Sequence, residues 1–189
     1  MEVENKIPKS CKVVVIGGGV AGCSTAYHLA KFGWKDTILL ERDVLTSGTT
    51  WHAAGLIGQL GSSATITKLR NYSLNLYKKL EEETGLSTGL KQNGSLTVAT
   101  TPERLEELKR QLTFAQRFDI EAKQVSNEEI KEIYPLINTK DLVGGVFIKK
   151  DGQADPVGVA NVMAKAARQN GATIIEKCPV NKILTKNNK

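Results

Sequence analysis

Three glycines near the start of the chain, Gly17, Gly19 and Gly22, have the spacing of a backbone turn that approaches a phosphate group. The first permits a tight turn, the second lets a pyrophosphate approach the backbone, and the third lets a helix pack close to a strand. Free N–H groups and the dipole at the N-terminus of that helix favour negative charge. The spacing therefore indicates a site for a phosphorylated ligand.

Regular elements on both sides of the glycines would hold them in place. The β-branched run at 13–16 predicts a parallel strand buried on both faces. A helix is predicted from residue 20 to about 32, and Gly33 fits the position after its C-cap. A second strand, 37–40, ends on Glu41, about 20 residues after the glycines, where a dinucleotide fold needs a carboxylate for the ribose hydroxyls. Together these features predict a Rossmann-like α/β fold that binds a dinucleotide.

A stretch of small and hydroxyl-bearing residues, 46–56, distinguishes between the possible dinucleotides. It contains Trp51 and His52, in a chain with 2 Trp and 2 His. Glycine and alanine permit close approach of a ribityl chain and flavin ring, and hydroxyl and N–H groups can reach phosphate oxygens. The stretch therefore favours FAD. The alternative is an NAD(P)-binding reductase, in which Glu41 would fit NAD but this stretch would have no purpose.

The same stretch resembles the flavin-attachment segment of the sarcosine and dimethylglycine dehydrogenase family, within the D-amino-acid-oxidase-like FAD-dependent oxidoreductases. The resemblance continues through LEEETGLSTGLKQNGSLTVATTPERLEELKR, YPLINTKDLVGGV, DGQADPVG and ATIIEKCPV, so it covers nearly the whole chain. Residues 46–52, 92–94 and 178–180 are more similar to the sarcosine enzymes, whereas 53–55 are more similar to the dimethylglycine enzymes. The resemblance implies that His52 is bonded through a ring nitrogen to the 8α carbon of FAD.

The glycine motif and the resemblance together give one set of candidate cofactor-binding residues, with no catalytic residue and no metal ligand assigned. Val180 enters by resemblance, because related flavoproteins read the adenine there through backbone N–H and C=O groups. The full set is Gly17, Gly19, Val20, Ala21, Gly22, Glu41, Arg42, Gly48, Thr49, Thr50, Trp51, His52, Ala53, Ala54, Gly55, Leu56 and Val180.

The resemblance implies an activity: FAD-dependent oxidative demethylation of a small N-methylated amino acid, sarcosine before dimethylglycine. It also implies electron transfer to an electron-transfer flavoprotein and transfer of the one-carbon unit to tetrahydrofolate. The implied compartment is the mitochondrial matrix in a eukaryote and the cytoplasm in a bacterium. The alternative is a non-catalytic relative, similar to the flavin-fold regulatory subunit of pyruvate dehydrogenase phosphatase. The intact Trp51–His52 pair speaks against that alternative, because the regulatory subunit lacks the anchor.

Downstream, the elements depart from the strand–helix alternation. A helix is predicted at 64–84 with Ile66, Leu69, Leu76 and Leu80 on its apolar face, followed by a strand at 95–99. Capping patterns predict helices after Thr101-Pro102 and Ser126, and a further strand is predicted at 143–148. A last helix, 156–170, leads into a strand at 173–176. We interpret the middle elements as the start of a substrate-side layer inserted into the dinucleotide fold.

Four polar residues in this part of the chain are further candidates for the site. Arg70 and Tyr72 could contact substrate, although surface or packing roles are favoured. Asp151 and Asp155 could form a carboxylate pair for acid–base chemistry. Turn and cap chemistry explains both aspartates without catalysis, and this interpretation is preferred.

Composition limits the remaining possibilities. The chain has 26 Lys+Arg against 20 Asp+Glu in 189 residues, and these charges are interspersed, so an ordinary basic surface is expected and no nucleic-acid partner. No apolar run approaches the about 18 residues of a membrane span, and residues 1–10 resemble no targeting segment. Residues 1–11 are expected to be a flexible lead, and 12–189 the N-terminal portion of a truncated FAD-dependent oxidoreductase domain.

Overall fold

A computed structural model describes residues 7–186, so the first six residues of the predicted flexible lead lie outside the described residues. The described chain contains eight strands and five α-helices. In chain order they are β1 (Val13–Ile16), α1 (Val20–Lys31), β2 (Thr37–Leu40), β3 (Leu56–Ile57), α2 (Ala64–Thr84), β4 (Ser95–Ala99), α3 (Pro102–Gln116), β5 (Ala122–Val125), α4 (Asn127–Ile133), β6 (Gly144–Ile148), β7 (Gly152–Gln153), α5 (Pro156–Gln169) and β8 (Thr173–Ile175).

These elements form two compact units. The first contains the described residues up to Gly55, together with Tyr77–Gly89 and the described residues from Asp155 onwards. The second contains Leu56–Leu76 and Leu90–Ala154. The long helix α2 therefore contributes its first part to the second unit and its last part to the first.

The first unit is built on a parallel three-stranded sheet in the order β1-β2-β8. Val13 lies opposite Thr37, and Ile38 opposite Thr173. Helices α1 and α5 pack against each other, as expected when right-handed crossovers place both connections on one face of the sheet. Their buried residues are small or apolar, and include Cys23, Ala26, Tyr27, Ala30, Val159, Ala160, Met163 and Ala167. The predicted Rossmann-like α/β fold is confirmed.

The prediction that the first strand is buried on both faces is wrong for this chain. Val14 and Ile16 are 49% and 55% exposed, whereas Val13 and Val15 are half-buried. The alternation of half-buried and exposed residues along β1 shows that, among the described residues, only one face of this edge strand is covered. The β-branched run predicted the strand correctly but could not predict which of its faces is covered.

The ends of the helices agree with the capping patterns of the sequence. Gly33 follows α1 with a φ of +93°, the left-handed conformation expected after a C-cap. Thr101 caps α3 by accepting from the Arg104 N–H, and Ser126 forms a capping box with Glu129 at the start of α4. Each of these predictions is confirmed.

The second unit contains an antiparallel sheet in the order β4-β6-β5, with helix α3 packed on it. Ser95 and Ala122 both lie opposite Ile148, so β6 is the central strand. The core beneath α3 consists of apolar residues, namely Ala99, Leu108, Ala115, Ile120, Val146 and Ile148. A two-residue pair, β3 with β7, forms a second small antiparallel sheet.

Helix α2 has the predicted bounds, but its predicted apolar face is only partly correct. Leu76 and Leu80 are buried, whereas Ile66 and Leu69 are exposed and Thr67 is fully buried in their place. Thr67 can occupy a buried position because its hydroxyl donates to the Ser63 carbonyl and accepts from the Gly61 N–H. No helix in residues 7–186 combines the length and apolar character needed to cross a membrane.

Candidate cofactor-binding site

A cleft of about 550 Å³ opens in the first unit where β1, β2 and β8 end. The carboxyl ends of parallel strands are where open α/β sheets bind their ligands. Four segments line the cleft, and their residues are Ile16, Gly17, Gly19, Leu40, Glu41, Arg42, Gly48, Thr49, Thr50, Cys178, Pro179, Val180 and Asn181. Eight of these residues were predicted from the sequence as cofactor-binding candidates.

The glycine turn forms one wall of the cleft. Gly17 has a φ of +106°, and its N–H donates to the Leu40 carbonyl at 2.8 Å. A Cβ built on Gly17 or on Gly48 would meet no heavy atom within 4 Å, so the space above both residues is open to a ligand. A Cβ on Gly22 would instead collide with the Gly17 carbonyl oxygen. Gly22 therefore permits close packing of α1, as the motif predicts.

Gly18, the residue between the first two motif glycines, is also constrained. A Cβ at this position would lie 2.5 Å from the Leu45 side chain and 3.0 Å from the Glu41 Cβ. Thr46 also contacts Gly18: its N–H donates to the Gly18 carbonyl at 3.0 Å, and its own φ is +69°. The motif does not predict either feature. Gly18 occupies a variable position of the motif, and a β-branched residue such as Thr46 rarely adopts a positive φ.

Glu41 is held firmly at the end of β2 and is only 8% exposed. Its carboxylate accepts from the Gly18 N–H at 2.6 Å and from the Asp43 N–H at 2.9 Å. Its backbone donates to the Ile175 carbonyl and accepts from the Cys178 N–H. A carboxylate has about four acceptor positions, so this one keeps capacity for a further donor from the cleft, such as a ribose hydroxyl.

The N-terminus of α1 is capped by a residue far away in sequence. The N-cap residue Gly19 has no side chain, and the Thr50 hydroxyl oxygen accepts from the Val20 N–H at 2.9 Å. Within residues 7–186, no protein group accepts from the N–H groups of Ala21 and Gly22. These donors keep the capacity for an anion that is typical of a helix N-terminus.

Trp51 and His52 follow directly after Thr50 in a single 3₁₀ turn, Thr50–His52. The two rings are in contact, with their centroids 3.8 Å apart and their planes tilted by 33°. Both side chains are exposed, and neither lines the cleft.

The remaining candidates lie near the cleft without lining it. Val20, Ala21 and Gly22 form the first turn of α1, and Ala53 and Ala54 continue the chain beyond the 3₁₀ turn. Gly55 has a φ of +71°. Leu56 is exposed and belongs to the second unit, as the first residue of β3.

Five cleft residues were not among the predicted candidates: Ile16, Leu40, Cys178, Pro179 and Asn181. Ile16 and Leu40 are the last residues of their strands, and this position is a signal that sequence reasoning could have used. The other three adjoin Val180.

The two aspartates that could have formed a catalytic pair have different structural roles. Asp155 is the N-cap of α5 and accepts from the Val157 and Gly158 N–H groups, as predicted. Asp151 is buried, and it accepts from the Gln59 N–H at 2.7 Å and the Ser95 hydroxyl at 2.6 Å. The Asp151 backbone closes a turn as predicted, with its N–H donating to the Ile148 carbonyl at 3.4 Å, whereas its carboxylate has a role that was not predicted and joins two separate segments of the second unit.

Arg70 and Tyr72 lie exposed on α2, in the second unit. The Arg70 guanidinium donates to the Leu60 carbonyl oxygen. In the described part of the chain, no group of three His, Cys, Asp or Glu side chains is arranged to hold a metal ion.

Comparison with known proteins identifies the family. The family model described as "FAD dependent oxidoreductase" (DAO) matches residues 12–189. The chain belongs to this family. It is 46% identical over 175 residues to human mitochondrial sarcosine dehydrogenase, covering 92% of this chain and 19% of that protein. It is 41% identical over 180 residues to human mitochondrial dimethylglycine dehydrogenase, covering 95% of this chain and 21% of that protein.

A relative named as a regulatory subunit is nearly as similar to this chain. The chain is 39% identical over 180 residues to the mitochondrial pyruvate dehydrogenase phosphatase regulatory subunit of Mus musculus, covering 95% of this chain and 20% of that protein. The chain thus spans about a fifth of the length of these curated relatives. Among solved structures, L-proline dehydrogenase from P. horikoshii superposes with a TM-score of 0.88 at 31% identity, covering 96% of this chain and 48% of that one.

Proposed function

We propose that the protein is an FAD-dependent amine dehydrogenase that demethylates a small N-methylated amino acid, with sarcosine favoured over dimethylglycine. The observation that carries the proposal is the position of His52. This exposed histidine follows the cleft residue Thr50 by two residues, within the same compact unit. The higher identity to sarcosine dehydrogenase than to dimethylglycine dehydrogenase, 46% against 41%, supports the choice of substrate.

The residues of the cleft fit an extended FAD. The open space above Gly17 and Gly48 would admit the pyrophosphate, with the N–H groups of Ala21 and Gly22 as donors. Glu41 would accept from the ribose hydroxyls, beside Arg42, and the backbone of Val180 would contact the adenine. The flavin would lie beyond Thr49 and Thr50, along the small residues 53–55. When bound, FAD supplies a two-electron oxidant for the N-methyl carbon.

His52 would hold the cofactor by a covalent bond. A neutral imidazole nitrogen is a nucleophile, and the new bond would join this nitrogen to the 8α carbon of FAD. A C–H bond of that carbon and the N–H bond of the imidazole break in the process. The two protons and two electrons that are released pass to an electron acceptor such as dioxygen.

The wider role follows from the family resemblance. We infer that the electrons pass to an electron-transfer flavoprotein and the one-carbon unit to tetrahydrofolate. In a eukaryote the protein would act in the mitochondrial matrix, since the human relatives carry the description "mitochondrial". A bacterial protein would act in the cytoplasm.

A second candidate is a regulatory protein without catalysis. It is favoured by the 39% identity to the pyruvate dehydrogenase phosphatase regulatory subunit, which is close to the 41% for dimethylglycine dehydrogenase. The two candidates differ in what they require of His52. An amine dehydrogenase of this kind uses the imidazole as its anchor, whereas a regulatory protein has no need of one.

The test is to express the protein at its natural length, precipitate it in acid and measure flavin fluorescence in the pellet. His52→Ala should abolish the acid-stable flavin. The matched control is His28→Ala, because His28 is the other histidine of the chain and its ring contacts Ser24 on α1. Reduction of an artificial electron acceptor with sarcosine, and then with dimethylglycine, identifies the substrate. Flavin released into the supernatant would contradict the covalent anchor, and the absence of both flavin and amine oxidation would favour the regulatory candidate.

A further inference from the structure

The paired rings of Trp51 and His52 form a defined arrangement on an exposed turn. The indole lies in close contact with the imidazole, at a centroid distance of 3.8 Å, and the two ring planes are tilted by 33°. Among the described residues, no hydrogen bond involves a ring nitrogen of His52. Within residues 7–186, the edge of the ring that carries both nitrogens therefore has no hydrogen-bond partner, and the indole contacts the ring.

The turn that carries the two rings is fixed at its start. Thr50 is buried, and its hydroxyl oxygen accepts from the Val20 N–H at the N-terminus of α1. The backbone of the turn is closed by hydrogen bonds from the His52 N–H to the Thr49 carbonyl and from the Ala53 N–H to the Thr50 carbonyl. The turn also lies beside helix α5 of the same unit. The ring pair is thus attached to the elements that form the cleft wall.

We propose that Trp51 is a positioning residue for the covalent attachment of flavin, acting through His52 and not through the flavin itself. This inference rests on the proposed function, in which a His52 nitrogen bonds to the 8α carbon and an acceptor such as dioxygen takes the released protons and electrons. An exposed histidine alone would sample several rotamers, whereas contact with Trp51 holds the imidazole in a narrow range of orientations. Holding a nucleophile in its reactive geometry raises the rate of bond formation.

The physical size of the effect sets the expected result. Contacts between aromatic rings can be stabilising beyond the area they bury, and losing a contact of that size corresponds to about a three- to tenfold change in rate. Trp51→Ala should therefore slow flavin attachment about three- to tenfold. Trp51→Phe should attach flavin at nearly the wild-type rate, because it keeps an aromatic ring against the imidazole. Trp51→Leu should behave like Trp51→Ala, since it keeps apolar bulk without the ring.

The experiment follows attachment over time. The protein, at natural length and prepared without flavin, is mixed with FAD, and samples are precipitated in acid for fluorescence of the polypeptide. The matched control is Trp34→Ala, because Trp34 is the other tryptophan of the chain, lies in the same unit and is similarly exposed, at 51% against 57% for Trp51. Non-covalent FAD affinity is measured in a His52→Ala background, with and without Trp51→Ala, to separate positioning from binding.

Each outcome decides the question. Slower attachment in Trp51→Ala, rescue in Trp51→Phe, an unchanged Trp34→Ala and an unchanged FAD affinity support the inference. An unchanged rate in Trp51→Ala, or equal slowing in Trp34→Ala, overturns it. Reduced FAD affinity in the double variant also overturns it, because Trp51 would then contact the cofactor. If Trp51→Ala does not fold, Trp51→Leu against Trp51→Phe gives the same comparison. If the wild-type protein itself forms no acid-stable flavin, both the covalent anchor at His52 and the positioning role of Trp51 are overturned.

Discussion

The Glu41 carboxylate accepts a hydrogen bond from the Gly18 N–H at 2.6 Å, which joins the acid at the end of β2 to the glycine turn after β1. A second hydrogen bond, from the Asp43 N–H at 2.9 Å, uses the other carboxylate oxygen. The acid expected to contact the ribose therefore also stabilises the backbone that would receive the pyrophosphate. Its structural role does not require a bound cofactor.

Glu41→Gln should lower the stability of the protein even without FAD. The amide keeps one acceptor oxygen and replaces the other with a donor, so one of the two N–H groups loses its partner. The expected loss in the free energy of unfolding is about 1–3 kcal/mol, measured by chemical denaturation of the apoprotein. Asp43→Asn is the control, because Asp43 is exposed and contributes only its backbone to this contact. Unchanged stability in Glu41→Gln would show that Glu41 is a ligand-binding residue alone.

Gly22→Ala should be destabilising, although glycine to alanine within a helix normally adds about 1 kcal/mol of stability. A Cβ on Gly22 would collide with the Gly17 carbonyl oxygen, which cannot move without disturbing the turn. Overpacking of this kind costs about 1–3 kcal/mol. Thr25→Ala on the exposed face of the same helix is the control and should be nearly neutral. Thermal unfolding of both variants shows whether each substitution raises or lowers the stability. A stabilised Gly22→Ala variant would refute the close packing at Gly22.

Sequence patterns predicted the elements that depend on local chemistry. The glycine turn, the caps at Thr101 and Ser126 and the stop at Gly33 all appear as expected, because each is determined by residues within a few positions of one another. The bounds of α2 also agree, because Gly85 ends the helix with a φ of +67°. Local sequence was sufficient for these features.

The features that depend on distant neighbours were not predicted. Strand β5 is short and mostly polar, and it is a strand because its residues pair with β6. Val14 is exposed although it belongs to a β-branched run, since the covered face depends on which elements pack on the sheet. Thr67 was missed for a different reason: its partners, Ser63 and Gly61, are close in sequence, but a pattern of apolar residues gives no signal for a buried threonine. None of these partners can be identified by periodicity.

Asp151→Asn and Asp155→Asn form a matched pair, and the expected loss of stability is large for the first and small for the second. Asp151 is buried and accepts from two donors, so an amide nitrogen placed against either donor leaves a buried group unsatisfied. The expected loss in the free energy of unfolding is about 1–3 kcal/mol, or more because the lost acceptor is charged. Asp155 is a helix N-cap, where asparagine is about as good as aspartate, so Asp155→Asn should change stability by only a few tenths of a kcal/mol.

Urea denaturation of both variants, at natural length, measures the difference. Equal stability of the two variants would contradict a structural role for the Asp151 carboxylate. Loss of amine oxidation in a stably folded Asp151→Asn would revive a catalytic role. The comparison therefore separates the two explanations that the sequence left open.

The three cysteines should differ in their reaction with a thiol reagent. Burial raises the pKa of the Cys23 thiol to about 11, behind the glycine turn where its sulfur contacts the Gly18 carbonyl. Because the thiolate is the reactive form, on the order of one in a thousand Cys23 thiols would be reactive at pH 8. Cys23 is also fully buried, at 0% exposure, so the fold itself should protect it from the reagent and its labelling should be the slowest of the three. Cys11 and Cys178 are partly exposed and should be labelled first.

Cys178 also lines the cleft, between the strand end at β8 and Val180, whereas Cys11 does not. FAD bound in the cleft should therefore slow the labelling of Cys178 and leave that of Cys11 unchanged, as measured by peptide mass spectrometry over time. Cys11 is the internal control, because it belongs to the same unit and is exposed to the same reagent. Equal rates for Cys178 with and without saturating FAD would show that the cofactor does not occupy this cleft, whatever the state of His52. Protection of Cys178 in a His52→Ala variant would place the nucleotide in the cleft independently of the covalent bond.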